Sequence, residues 1–217
     1  MADGAGCSRN REILITDRML ESYYKKELIE AGCDEAGRGC LAGSVFAAAV
    51  ILPKDFHHPM LNDSKKLTAR QREQLREVIE REAIAWQVAT ATAEEIDAMN
   101  ILRASFLAMN RAVAALSVTP EFLLIDGNRF YPSLVEIPYE CFVKGDGRLA
   151  PIAAASILAK THRDQYIEEL AVQYPEYGWA ENKGYPTAKH RKAVEQFGLS
   201  PLHRKSFHLK GHQLELF

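Results

Sequence analysis

Apolar residues recur at helical spacing over residues 101–116, where Leu102, Phe106, Met109, Val113 and Leu116 fall on one stripe. Residues 69–82 carry fewer apolar positions (Leu75, Val78, Ile79), so a surface helix is expected there with Thr68 as its N-cap. Thr92 and Glu95 have capping-box spacing and open a short helix. Residues 151–173 read as a long helix rich in alanine, whose small side chains imply close packing of its backbone on a sheet. Further helical segments are expected over 187–197 and, near the start, over 17–27. Residues 28–36 and 44–52 are β-compatible and joined through Gly37, Gly39 and Gly43, which predicts a hairpin. Residues 83–92, 122–125 and 139–143 supply three more strands. Strands joined by short turns should pair antiparallel, and one reached through the 101–116 helix should run parallel. The expected fold class is therefore α/β, a mixed five-stranded sheet flanked by helices, with a small helical C-terminal extension.

Composition narrows the function classes. The 217 residues are 47% hydrophobic and 26% charged, ordinary for a globular chain. The longest apolar run, 45–52, is too short to span a membrane, and residues 1–17 lack the apolar core of a secretory signal. A cytoplasmic protein without membrane contact is expected, and no obvious dimer interface argues against a monomer. Cys7, Cys33, Cys40 and Cys141 show no Cys-x-x-Cys spacing and read as free thiols. The net charge of −2 hides an asymmetry. Residues 181–212 hold Lys183, Lys189, Arg191, Lys192, Arg204, Lys205 and Lys210 against Glu181 and Glu195, a basic patch suited to phosphates. Four of the histidines share that stretch, but no cysteine accompanies His203, His208 and His212, so zinc is not expected.

The candidate chemistry lies in carboxylates. Asp34, Glu35, Asp126 and Asp146 stand at expected strand ends with glycines close behind, where an acid points into the crevice at the edge of an α/β sheet. Any one of them alone would pass for a turn acid. Together they would repel unless divalent cations neutralise them, and carboxylate oxygens suit Mg²⁺ or Mn²⁺. Two such ions would activate a water and stabilise the leaving oxygen of a phosphodiester. Adjacent strand residues face opposite sides, so Asp34 and Glu35 can share one site only if the strand is ending.

Cys33-Asp34-Glu35-Ala36-Gly37-Arg38-Gly39 resembles the signature of the ribonuclease HII family. The resemblance continues in order through Asp63-Ser64-Lys65-Lys66-Leu67, Leu124-Ile125-Asp126-Gly127-Asn128, and Lys144-Gly145-Asp146. It extends to Ala155-Ser156 with Lys160, Arg163 and Asp164, to Gly184-Tyr185-Pro186-Thr187 with His190, and to His203-Arg204-Lys205-Ser206-Phe207. It implies a ribonuclease H-like fold and Asp34, Glu35, Asp126 and Asp146 as the catalytic, metal-binding acids for two Mg²⁺ or Mn²⁺ ions. It implies cleavage on the 5′ side of ribonucleotides in RNA–DNA hybrids or embedded in duplex DNA, leaving 3′-hydroxyl and 5′-phosphate ends, in the removal of misincorporated ribonucleotides. The chain departs from the family pattern at Cys40 and Ser44, where proline is common, which predicts a looser loop after the signature. On this resemblance the chain divides into an extension (1–27), a catalytic domain (28–180), a basic helical region (181–212) and a tail (213–217).

Substrate contacts are expected from Gly37, Arg38 and Gly39, whose backbone can approach a ribose 2′-hydroxyl closely, and from Tyr185, which in the family packs on the next sugar. Lys65, Lys160 and the basic region are expected on phosphates. Lys160 and Asp164 also have the spacing of a helical surface pair, and Arg163 and Asp164 could equally be structural. Gln213, Leu214, Leu216 and Phe217 belong to a tail resembling the peptide by which bacterial replication proteins dock on the sliding clamp. Two rivals remain: a type 1 ribonuclease H, which needs a run of ribonucleotides, and a hybrid-binding or clamp-adaptor protein without activity.

Overall fold

Five strands form one sheet in the order β3-β2-β1-β4-β5 in the computed structural model, which describes residues 19–61 and 67–207. β1 (Glu30–Ala36) and β2 (Val45–Ile51) make the expected antiparallel hairpin, with Asp34 opposite Ala48 and Glu35 opposite Ala47. β3 (Ala85–Ala91) extends it antiparallel. β4 (Phe122–Asp126) lies parallel to β1, and β5 (Tyr139–Phe142) parallel to β4.

Helices α1 (Ala69–Glu82) and α2 (Ala93–Met99) both open with full capping boxes, Thr68 with Gln71 and Thr92 with Glu95. Each N-cap is worth ~1 kcal/mol of helix stability. α3 (Ile101–Ala114) covers one face of the sheet, packing Ala104, Ala108, Met109 and Val113 on Cys33, Val45 and Ala47. α4 (Ala150–Gln173) and α1 cover the other, with Ala153, Ala154, Ile157, Leu75 and Ile79 against Ala48 and Val50. The alanines of α4 do what their size suggests. A Cβ on Gly32 of β1 would lie 2.1 Å from the carbonyl carbon of Pro151, so helix and strand touch backbone to backbone. α5 (Trp179–Asn182) and α6 (Ala188–Phe197) pack on α4 around Tyr177 and Trp179.

Two expectations need correction. Residues 19–27 form no helix; Glu21 pairs with Leu149 in an isolated parallel bridge, and its carbonyl accepts from the N–H of Ala150 at 2.8 Å. That carbonyl caps the start of α4, which has no side-chain cap, so a tertiary contact outweighs local helix propensity. In α3, Leu102 and Phe106 are only half-buried and the small face carrying Ala104, Ala108 and Ala112 meets the sheet. Close approach to the strands suits alanine there; Met109 and Val113 of the expected stripe are buried, and Leu102 and Phe106 line a groove beside the sheet. The segment with Lys65 and the tail with Gln213, Leu214, Leu216 and Phe217 lie outside the described residues.

Candidate active site

A cleft of about 300 Å³ opens at the end of the sheet where β4 stops, lined by Asp34, Glu35, Gly37, Asp126, Arg72, Ser156, Lys160 and Tyr185 among others. Asp34 and Glu35 share it where β1 is ending, as a shared site requires: the strand stops at Ala36, just before Gly37. The pairing of β1 with β4 reaches only Cys33↔Ile125, whereas β1 remains paired to β2 as far as Ala36. β1 thus outruns its neighbour and offers a free edge. Asp34 is hydrogen-bonded by Ser156 of α4, and Glu35, the next residue along the strand, lines the same cleft. Asp126 is the last residue of β4. Asp146 sits in a one-turn 3₁₀ helix (Gly145–Gly147) rather than at a strand end, and is buried. The N–H of Gly145 donates to Asp126 Oδ1 at 2.8 Å, which sets Asp146 one residue from an atom that touches Asp126.

Burial pushes the Asp34 carboxyl well above the usual carboxylate range, and the nearby charges of Glu35 and Asp126 push it further. A hydrogen bond from Ser156 and the N–H of Glu35, 2.7 Å from Asp34 Oδ1, only partly offset this. Glu35 is raised chiefly by burial as well, although Arg38 Nη1 lies 2.9 Å from its Oε1. Such crowding of buried acids is costly and is the donor chemistry that a hard divalent cation relieves. Among the described residues no three His, Cys, Asp or Glu side chains form a ready-made cage, so the fit rests on donor type and on this excess of negative charge.

The loop after β1 separates its glycines by role. Gly37 is buried with φ +91°, and a Cβ there would fall 2.0 Å from Nε of the fully buried Arg163, so glycine is demanded by the protein's own packing. Gly39 is exposed, and a Cβ there would meet nothing within 4 Å. Tyr185 also lines the cleft, with its ring over the Arg163 guanidinium, 5.6 Å from ring centre to Cζ. A looser loop is expected at Cys40 and Ser44 from the missing prolines, and the structure shows what holds the backbone there. Both are buried, and the N–H groups of Leu41 and Gly43 donate to the carbonyls of Gly184 (2.8 Å) and Leu202 (2.9 Å). These backbone hydrogen bonds tie the loop to the C-terminal region.

Lys160 lines the cleft, with Nζ 2.6 and 2.7 Å from the two oxygens of Asp164. The basic region is less available than its composition suggests. Arg204 is 1% exposed, Lys183 pairs with Glu168, and Lys189 pairs with Glu181 at 2.8 Å. His203 is buried in the C-terminal region, and His208 and His212 lie outside the described residues. His203 Nε2 lies 3.1 Å from His190 Nε2, which also accepts from Trp179 Nε1 at 3.0 Å, inside an aromatic cluster. Ser156, Arg72 and Arg163 were not foreseen at the site. Ser156 had a usable signal, one helical turn before Lys160 on the same face, and for Arg163 the structural alternative is the one its burial favours.

The ribonuclease HII family model matches residues 31–210. Ribonuclease HII of Bacteroides thetaiotaomicron is 64% identical over 195 residues, covering 89% of this chain and 96% of its own. That of Parabacteroides distasonis is 62% identical over 198 residues, covering 91% and 99%. Among solved structures, ribonuclease H2 from Pyrococcus horikoshii superposes with TM-score 0.68 at 28% identity, covering 82% of this chain and 93% of its own. A PCNA:RNase HII complex from Archaeoglobus fulgidus gives 0.71 at 25% identity, covering 86% and 98%. With the ribonuclease H-like sheet and its cleft in place, these matches identify the chain as a member of the ribonuclease HII family and as an endonuclease of the ribonuclease H type.

Proposed function

We propose that this endonuclease hydrolyses the phosphodiester on the 5′ side of a ribonucleotide, in RNA–DNA hybrids or at a single ribonucleotide embedded in duplex DNA, leaving 3′-hydroxyl and 5′-phosphate ends. The observation that carries the reading is one cleft lined by the carboxylates Asp34, Glu35 and Asp126 together with Gly37 and Tyr185. Asp34, Glu35, Asp126 and Asp146 would hold divalent cations, and their oxygen-only donor set favours Mg²⁺ or Mn²⁺. Bound there, two such ions would supply the charge that turns water into a nucleophile and steadies the departing oxygen. The exposed face of Gly39 admits a sugar edge to the backbone, so a 2′-hydroxyl can be told from a 2′-hydrogen. The ring of Tyr185 closes the cleft against the neighbouring sugar. Lys160, and Lys65 with it, meet the phosphates, which gives affinity without sequence preference.

The reading places the enzyme in ribonucleotide removal during DNA replication and repair, in the cytoplasm. No helix among the described residues is long and apolar enough to cross a membrane. Gln213, Leu214, Leu216 and Phe217 are proposed to dock on a sliding clamp, with support from the relative solved as a PCNA complex. The catalytic assignment is tested by Asp34→Asn and Asp126→Asn. Both should abolish cleavage of a ribonucleotide-containing duplex while binding, read by fluorescence anisotropy, survives. Wild-type cleavage in either variant refutes it.

A further inference from the structure

Arg204 has the character of a core residue. Its side chain is 1% exposed and reaches back across more than 160 residues of sequence to the loop that follows β1. Nε donates to the Gly43 carbonyl at 2.9 Å, Nη1 to that of Arg38 at 2.9 Å, and Nη2 to that of Gly37 at 2.8 Å. The backbone adds to the grip: the Arg204 N–H donates to the Leu41 carbonyl at 2.8 Å, and His203 bridges Ala42. A planar fork of donors can serve three carbonyls at once; an ammonium group, a single point, cannot reach all three in line.

The grip has a directional consequence. In a trans peptide the C=O and the following N–H point in opposite directions within one plane. Holding the Gly37 and Arg38 carbonyls inward therefore turns the N–H groups of Arg38 and Gly39 outward, onto the exposed face of the loop. The Arg38 side chain, on the same short segment, holds Glu35 at 2.9 Å. One buried guanidinium thus fixes both a pair of outward donors and the backbone that carries the partner of a cleft carboxylate.

We propose that Arg204 is a positioning residue for ribonucleotide recognition, aiming the Arg38 and Gly39 N–H groups at the 2′-oxygen of the substrate and holding Arg38 against Glu35. The proposal rests on the reading of Gly37-Arg38-Gly39 as the loop that meets the ribose. Arg204 itself touches no substrate.

The test compares Arg204→Lys with wild type on two substrates, a DNA duplex with one ribonucleotide and a continuous RNA–DNA hybrid, in Mg²⁺. Misaiming a reading group by about 1 Å costs ~100-fold in rate, so kcat on the single-ribonucleotide duplex should fall by that order while KM stays within a few-fold. The hybrid, which offers a 2′-hydroxyl in every register, should lose much less, so the ratio between the substrates shifts. Equal losses on both would mark Arg204 as merely structural and overturn the proposal, as would wild-type rates. Gly39→Ala on the same substrates separates the two levels: a shifted ratio there with an inert Arg204→Lys sinks only this inference, and no shift in either sinks the loop reading too. Should Arg204→Lys fail to fold, the wild-type enzyme in EDTA still decides. Its Arg38 and Gly39 amide resonances should move on adding the ribonucleotide duplex and not on adding the all-DNA duplex; resonances that respond alike to both refute the aiming of these donors.

Discussion

Replacing each loop glycine by alanine gives the sharpest separation of folding from recognition. At Gly37 the added methyl would stand 2.0 Å from Nε and 2.5 Å from Cδ of Arg163, a side chain with no exposed surface into which to retreat, at a φ of +91°. The left-handed backbone costs ~1–2 kcal/mol, and overpacking a rigid neighbour adds ~1–3 kcal/mol. A total of about 3 kcal/mol lowers the melting temperature by roughly 6–12 °C in a domain of this size. At Gly39 the methyl meets nothing within 4 Å and the backbone is unstrained, so stability should change by less than ~0.5 kcal/mol. The same methyl projects onto the face proposed to meet the ribose, and should slow cleavage at a single ribonucleotide by ~100-fold. Calorimetry and single-turnover cleavage on the two variants measure both effects. A Gly39→Ala enzyme that cuts at the wild-type rate refutes close approach of the substrate to this loop, and a Gly37→Ala protein as stable as wild type refutes the packing of Arg163 behind it.

Other outcomes follow from the charges and the core. Because burial and neighbouring acids raise the Asp34 and Glu35 carboxyls, the folded chain holds their protons more tightly than the unfolded one. Their contribution to stability is then greatest at low pH and declines as pH rises through the carboxylate range, so Asp34→Asn should melt higher than wild type at pH 8 in EDTA while losing cleavage. Mg²⁺ or Mn²⁺ should raise the melting temperature of wild type and do so less for that variant. His203 has the opposite sign: burial first, and His190 beside it, hold it down at about 4, so the folded chain binds fewer protons than the unfolded one. Its contribution, intact at pH 7, is lost on acidification below the ordinary histidine value at up to ~1.4 kcal/mol per pH unit, and His203→Gln should flatten that limb in urea titrations. Gly32→Ala should cost more than ~3 kcal/mol, because its methyl would meet the Pro151 backbone itself, and soluble, wild-type-stable protein would contradict the α4–β1 contact. Deleting residues 213–217 should abolish clamp binding in a pull-down with purified clamp and leave cleavage of short duplexes intact.

Local signals carried the fold far. The capping residues Thr68 and Thr92 mark their helix starts in the sequence as in the structure, and the hairpin glycines and the parallel β4 follow from turn chemistry and crossover length. What escaped was decided by distant partners. The 17–27 segment has helix-compatible residues, yet Glu21 is needed to pair with Leu149. On α3 the stripe holds for the buried Met109 and Val113, whereas the alanines that approach the sheet most closely were not singled out. Asp34, Glu35 and Asp126, placed at strand ends in the sequence, line one cleft, and Asp146, which does not line it, follows Gly145, which touches Asp126. The structural alternative weighed for Arg163 fits its burial, but what the two buried arginines hold was illegible, because their partners are distant in sequence. Only the folded chain shows one behind Gly37 and the other holding three carbonyls.

The most direct test is to map the cut in an end-labelled DNA duplex containing one ribonucleotide, in Mg²⁺, in Mn²⁺ and in EDTA. One metal-dependent cut on the 5′ side of that ribonucleotide, with a 3′-hydroxyl end and nothing in EDTA, is the expected result. Cleavage confined to continuous hybrids would contradict the recognition of a single ribose by the Gly37–Gly39 loop and Tyr185, and a cut that persists in EDTA would contradict the role given to Asp34, Glu35, Asp126 and Asp146.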